Sequence, residues 1–388
     1  MSKSDAQTLF AAAPLPIATL DRAERLACLR LIRSENVGAV TFRALINQFG
    51  GAARALDALP DLARRGGGRR PIVICTQAAA EAELAAAERL GATPVFTIEP
   101  GYPAVFAATD APPPMLYVKG NSALLNTPSI AIVGSRQCSA AGAKLAGQFA
   151  TRLSEAGYVI VSGLARGIDR VAHEASIARG TVAVIAGGID SIYPPEHADL
   201  FQRIATEGCL ITERPPGFTA REKDFPRRNR IIAGIALGVV IVEAAARSGT
   251  LVTARYANEL GREVFAVPGH PLDSRAEGTN GLIKSGATMV TTPEDVLEVL
   301  APIAGLRTLA ASAYRAEAAA VVTRALADIG EDECNAVLAV LGPAPTDLDA
   351  VQRATGLSIR EVQVAVLELS LAGRITRSGS GLVARVMD

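Results

Sequence analysis

The 388-residue sequence has no excess charge of either sign, since 39 Lys and Arg balance 39 Asp and Glu. Overall charge therefore gives no general attraction to a polyanion, and nucleic-acid binding must come from local patches. There is also no long apolar run. A bilayer span needs roughly 20 apolar residues, whereas the longest candidate, residues 231–242, stops at Glu243. The 49% hydrophobic content reflects abundant alanine and a well-buried core, and no membrane partner is expected. The five cysteines, Cys28, Cys75, Cys138, Cys209 and Cys334, are odd in number and widely spaced, with no C-x-x-C pair. That disfavours a disulfide framework and a structural zinc site, and predicts buried thiols. The segment MSKSDAQTLFAAAPLP lacks a charged start followed by an adequate apolar stretch. It predicts no secretory signal and a cytoplasmic location.

What is present divides the chain into parts, as its length requires. Residues 1–70 read as an N-terminal helical domain, with apolar spacing over 21–65 and glycine stops at Gly50 and Gly51. Within it VGAVTFRALINQFGG has the look of a helix-hairpin-helix, whose amides can hold a phosphate. A bundle for packing or partner binding is the favoured alternative. Residues 71–300 form the main α/β domain, opening with strand-like PIVIC, PVFTIE and MLYVKGN around the helix AAAEAELAAAERLGA. From Ser129 the runs SIAIVGS, YVIVSG, TVAVIAGG, CLITE, GVVIVEA, EVFAVPG and TMVTT alternate with helical patterns. Short continuous runs of this kind predict a Rossmann-like, doubly wound parallel sheet. Residues 301–330 read as an alanine-rich linker. Residues 331–388 predict a winged helix: Asp347 begins a helix, TGLS turns, a second helix buries Ile359, Val362, Val366 and Leu369, and RITRSGSGLVARV forms a hairpin. Glu361 and Glu368 accompany Arg360 on the exposed side, so protein binding by this domain competes with DNA binding.

Ligands in doubly wound sheets bind beyond the strand carboxyl ends, where Gly134-Ser135-Arg136, Ser162-Gly163, Gly187-Gly188 and Ser248-Gly249-Thr250 are expected. IAIVGSRQCSAAG puts a turn before a helix near Ser139, whose amides favour an anion, and Arg136 adds a fork for phosphate. The string is not G-x-G-x-x-G, which argues against a dinucleotide cofactor. TAREKDFPRRNRIIAG carries Arg221, Lys223, Arg227, Arg228 and Arg230 around Phe225, and cations interleaved with an aromatic suit a single-strand groove. Ser248, Gly249 and Thr250 can cradle a second phosphate or cap a helix. Lys284 is a candidate phosphate contact, and His270 reads as structural. No ligand cluster has metal spacing, so neither metal nor nucleotide cofactor is expected.

In order, VGSR, SGLARGID, AGGID-x-x-YP, ITERPPG, FPRRNRIIAG, RSGTLVTA, VPG and GTNGLIKSGA resemble the DprA (Smf) family of DNA-processing proteins. YPAVF and PPMLYVKGN extend the resemblance to about residue 100, and the terminal domains fit its architecture more loosely. The resemblance implies a non-enzymatic protein that binds and protects incoming single-stranded DNA and helps load the RecA recombinase in natural transformation and recombination. It assigns much of the DNA groove to Arg136, Lys223, Phe225, Arg227, Arg228, Asn229 and Arg230. Ser135 accompanies Arg136, while Gly163, Arg166 and Ser248 to Thr250 complete the walls. It also implies a homodimer. Gly281 stands where a larger polar residue is expected, which weakens contact near GTNGLIK.

The rival reading is a Rossmann-like hydrolase acting on nucleoside monophosphates. Such enzymes display PGG-x-GT-x-x-E, for which this chain has ARSGTLVTA without the glutamate. Asp169, His173 and Glu174 in GIDRVAHEA are its candidate acid-base groups, although helix polarity explains them equally. A third reading is an adaptor whose terminal domains recruit proteins around a vestigial groove.

Overall fold

The structure is a computed structural model that describes residues 20–302, 330–377 and 381–387. The N-terminal segment read for a signal lies outside these residues, as does nearly all of the expected linker.

Three helices open the described chain: α1 (Arg22–Arg33), α2 (Ala39–Phe49) and α3 (Ala52–Arg65). Asp21 caps α1 by accepting from Glu24 N at 2.8 Å, and α2 ends at Gly50 with φ 67°, the left-handed geometry that glycine adopts without strain. The amides that begin α3 face a carboxylate of the chain itself, for Ala52 N and Ala53 N both donate to Glu24. Arg43 fastens these helices to the main domain. It is buried, and its guanidinium donates to Ala107 O at 2.7 Å and Thr109 O at 2.8 Å.

The main domain runs α4 (Gln77–Arg89), β1 (Thr93–Phe96), α5 (Ala104–Ala107), β2 (Met115–Gly120), β3 (Ser129–Gly134), α6 (Ala140–Glu155), β4 (Val159–Ser162), α7 (Ile168–Ser176), β5 (Thr181–Val184), α8 (Ala198–Glu207), β6 (Cys209–Thr212), α9 (Asp224–Ile235), β7 (Gly238–Val242), α10 (Thr250–Glu259), β8 (Glu263–Ala266), α11 (Glu277–Lys284) and β9 (Thr288–Met289). The strands form one sheet in the order β1-β2-β6-β5-β4-β3-β7-β8-β9. β1, β2 and β6 pair antiparallel and every other pairing is parallel. This is the doubly wound, Rossmann-like architecture that the alternating runs predict. Helices cover both faces, so the central strands have no polar side. Ile130 and Ile132 of β3 pack with Phe149 and Leu153 of α6, whereas the intervening Ala131 and Val133 pack with Ile231 and Ile232 of α9. The apolar stretch 231–242 is thus the end of a helix followed by a strand, and no helix among the described residues is long and apolar enough to cross a membrane.

One expected strand is absent. PIVIC, residues 71–75, pairs with no strand. Ile72 and Ile74 pack on the core while Val73 is exposed. Its polar groups are met by the end of α1: Glu35 N donates to Val73 O at 2.9 Å, Cys75 N to Ser34 Oγ at 3.1 Å, and Arg30 Nε to Cys75 O at 3.0 Å. Strand-like alternation is met here by single contacts instead of a ladder.

The winged helix comprises α12 (Glu331–Val340), β10 (Thr346–Asp347), α13 (Leu348–Thr355), α14 (Ile359–Leu371), β11 (Ile375–Arg377) and β12 (Leu382–Arg385), with sheet order β10-β12-β11. Asp347 caps α13 through Ala350 N at 2.7 Å, and Ser358 with Glu361 makes a capping box on α14. Val362, Val366 and Leu369 enter the domain's own core. Glu368 departs from its expected exposure. It is fully buried, because α14 lays a second face on the N-terminal helices, with Leu367 and Leu371 in their core. There Arg65 bridges Glu368 at 2.7 Å, and Asn36 Nδ2 donates to Leu371 O at 2.9 Å.

Candidate nucleic-acid interface

The chain leaves β3 toward β4 on one side, and β7 returns on the other, so the strand order reverses at the β3/β7 boundary. The crevice beyond their carboxyl ends is the expected binding position. Gly134 closes β3 because a Cβ there would lie 1.9 Å from Val242 O. The turn carries Ser135 and an exposed Arg136, and Thr250 Oγ1 at the start of α10 donates to Gly134 O at 3.0 Å. Ser248 Oγ accepts from Thr250 N at 3.2 Å, so RSGT acts as a helix start tied to the β3 turn. Asn229 Nδ2 joins the same wall by donating to Gly249 O at 3.2 Å.

The first turn of α6 does not wait for a phosphate. Ser139 N donates to Glu243 Oε2 at 2.9 Å and the Ser139 hydroxyl bonds the same carboxylate, which presses against Gly142. Glu243 directly follows β7 and holds a left-handed φ of 56°. An internal carboxylate thus occupies the anion position that the sequence reading gave to phosphate.

The aromatic centre is Phe225, half-buried in the first turn of α9. The Arg136 guanidinium lies 5.6 Å from its ring centroid. Tyr193, 48% exposed, meets it at 5.1 Å with the planes inclined 56°. A small cleft beside these rings is lined by Gly163, Ile185, Gly187, Ser191 and Arg228. Tyr193 had no assigned role, although the YP of AGGID-x-x-YP carried it.

The cations of α9 separate into kinds. Lys223 and, just upstream, Arg221 are exposed and make no ion pair among the described residues. Arg227 Nε donates to Glu213 Oε1 at 2.8 Å, and Arg230 bonds the same carboxylate. Arg228 differs most from the expected outward phosphate contact. It is 6% exposed, its Nη1 donates to Gly163 O at 2.6 Å and to Val184 O, and its Nε donates to Asn229 Oδ1 at 3.1 Å. Burial pushes its pKa down to about 10, against the opposing charge of Asp169. Arg166 is exposed and paired with Glu196. Lys284 stands apart from these residues in sequence and element, exposed in the last turn of α11, which packs on β8. Asn280 staples its loop through Gly269, and His270 accepts from Leu272 N at 3.2 Å.

Asp169, His173 and Glu174 do not converge on an open site. Asp169 is buried and accepts from Gly163 N at 3.0 Å and Ala165 N at 3.3 Å; burial raises its pKa, opposed by Arg228 and these amides. His173 is fully buried beside Thr181 Oγ1 at 2.7 Å, and burial first, then the Arg228 charge, lowers its pKa to about 3. Glu174 pairs with Arg170 at the surface. Among the described residues no three His, Cys, Asp or Glu side chains are grouped to hold a metal.

Comparison with known proteins finds three family models in succession along the chain. A family model described as DNA recombination-mediator protein A covers residues 93–301. A DprA-like N-terminal HHH domain covers 22–86 and a DprA winged helix domain covers 318–381. Protein Smf of Escherichia coli K12 is 39% identical over 292 residues, 73% of this chain and 74% of that protein. The DNA processing protein DprA of Streptococcus pneumoniae R6 is 46% identical over 187 residues, 48% of this chain and 66% of its own length. The X-ray structure of DprA from Streptococcus pneumoniae superposes with a TM-score of 0.60 at 34% identity, covering 72% of this chain and 98% of that one. A Helicobacter pylori DprA structure, described by its single-stranded DNA binding mode, has a TM-score of 0.50 at 28% identity, covering 54% of this chain and 96% of that one.

Proposed function

The chain belongs to the DprA (Smf) family, and from that premise we propose that it binds single-stranded DNA in the crevice beyond the carboxyl ends of β3, β4 and β5, beside the β3/β7 boundary. In this reading it shields incoming DNA and helps load the RecA recombinase during natural transformation and recombination. It acts without catalysis, metal or nucleotide cofactor, as a cytoplasmic homodimer. The observation that carries the proposal is the pairing of Arg136 with Phe225 at 5.6 Å, beside Tyr193, beyond the carboxyl ends of β3, β4 and β5. A cation for the backbone and aromatic faces for unstacked bases are the two components of single-strand recognition. Both present their working groups on the same side of the sheet's carboxyl end. Arg221 and Lys223 extend the positive surface, and Ser135, Ser248, Gly249 and Thr250 supply hydroxyls and backbone groups along one wall. The relative from Helicobacter pylori, described as binding single-stranded DNA, agrees with this ligand class.

Fluorescence anisotropy with matched single- and double-stranded oligonucleotides over a salt series tests the proposal. Tighter binding of the single strand is expected, with affinity falling as salt rises. Equal affinity for both forms, or none for either, overturns it. Release of free base from a nucleoside monophosphate would instead favour the hydrolase.

A further inference from the structure

The loop of residues 163–167 forms the part of the crevice wall between β4 and α7, and its backbone is gripped from three directions. Gly163 gives its N–H to Asp169 at 3.0 Å and its carbonyl to Arg228 at 2.6 Å. Ala165 N also donates to Asp169, at 3.3 Å. The carbonyl of Leu164 lies 3.1 Å from His197 Nδ1. Leu164 itself has φ 58°, a left-handed conformation that costs a non-glycine residue free energy and persists only where its surroundings enforce it. A Cβ at Gly163 would stand 2.7 Å from the Arg228 guanidinium carbon, so any other residue there would displace the guanidinium.

What the grip holds is also defined. At Gly167, φ is 71° and a Cβ would lie 2.2 Å from Ser135 O, so the loop rests against the turn that carries Arg136. Ile168 N donates to Ser135 O at 3.2 Å and completes that contact. On its other side, the Arg228 guanidinium lies 6.0 Å from the Phe225 ring. Arg228 therefore lies beside the aromatic partner and Asp169 holds the loop that rests against the Arg136 turn, while both expose almost nothing of themselves.

We propose that Arg228 and Asp169 are positioning residues, which lock loop 163–167 so that Arg136 and Phe225 stand ready for a single strand, and that Arg228 contacts no phosphate. The proposal rests on the single-strand reading above and assigns the charge contact to Arg136 alone of these two arginines.

Charge-preserving and charge-removing variants of the full chain separate positioning from phosphate binding. Arg228→Lys keeps the positive charge but loses the planar fork that reaches two carbonyls and Asn229. Asp169→Asn removes a negative charge from beneath the crevice. If charge were the issue, the first would bind normally and the second more tightly. Positioning predicts at least tenfold weaker single-strand binding for each, a salt slope like wild type, and a double variant little worse than either single. Arg136→Ala is the control, with a slope smaller by about 0.7. Normal binding by Arg228→Lys, tighter binding by Asp169→Asn, or a slope loss in Arg228→Ala like that of Arg136→Ala overturns the proposal.

If the variants do not fold, amide hydrogen exchange of the wild-type chain without DNA decides. Slow exchange at Gly163 and Ala165 supports a loop held in advance, and exchange as fast as an exposed amide overturns it. Wild-type protein that binds no single strand defeats the functional reading instead, a result distinct from either of these.

Discussion

Arg136 is exposed and pairs with no carboxylate among the described residues, while the Phe225 ring is half-buried between it and Tyr193. The two side chains therefore fail in different ways when removed. Arg136→Ala deletes one phosphate neutralisation and should lower the magnitude of the log-affinity versus log-salt slope by about 0.7. Phe225→Ala removes a stacking surface and should weaken single-strand binding by about 1 to 3 kcal/mol with little change in slope. Thermal unfolding followed in parallel distinguishes a lost platform from a lost core contact. Wild-type affinity and slope in folded Arg136→Ala protein would remove the crevice as the binding site. Residue identity made Arg136 and Phe225 legible as candidates, since each has the chemistry its position uses. It hid Arg228, which is indistinguishable in sequence from its neighbour Arg227. Only the sheet beneath shows that one guanidinium meets the carbonyls of Gly163 and Val184 while the other reaches Glu213.

Among the elements, α14 has two buried faces that serve two different cores. Its first face, Val362, Val366 and Leu369, closes the winged helix, and its second carries Leu367, Glu368 and Leu371 onto the N-terminal helices. Arg65→Ala should take the cation from a buried carboxylate, a change that costs about 3 to 5 kcal/mol for fully buried pairs. The lower end is expected because the Arg65 side chain remains 37% exposed. Urea denaturation of the full chain should show the loss as an earlier transition, and an unchanged midpoint would mean that the bridge contributes nothing. Replacing both partners with leucine-sized apolar residues should restore stability, since the cost lies in a buried charge that has lost its cation.

The central strands β3 to β7 are legible because each is an apolar run buried on both faces. The second face of α14 is not, because a glutamate at position 368 signals solvent unless its cation, Arg65 in a distant part of the sequence, is known to be adjacent. The same limit governs Glu243, which fills the start of α6 from just beyond β7. It governs PIVIC too, whose alternation satisfies a strand pattern while Ser34, Glu35 and Arg30 take the hydrogen bonds.

At the scale of the whole molecule, balanced charge turns the number of phosphates held into a measurable quantity. Glu213 already engages Arg227 and Arg230, and Glu196 engages Arg166. Of the expected cations on the segments after β3 and β6 this leaves Arg136, Arg221 and Lys223 exposed and without an ion pair among the described residues, while Lys284, also exposed, stands on α11. At about 0.7 per phosphate of a single strand, one protomer should show a salt slope near −2. If the protein is the proposed homodimer and a strand runs through both crevices, an oligonucleotide long enough to cross them should show a slope near −4, while one confined to a single crevice stays near −2. A length series of oligonucleotides read by anisotropy, with light scattering on the same samples, measures both quantities. A dimer whose slope does not depend on length has separate crevices. A monomer at micromolar concentration, with undiminished affinity for long strands, removes the dimer from the mechanism and leaves each crevice to act alone.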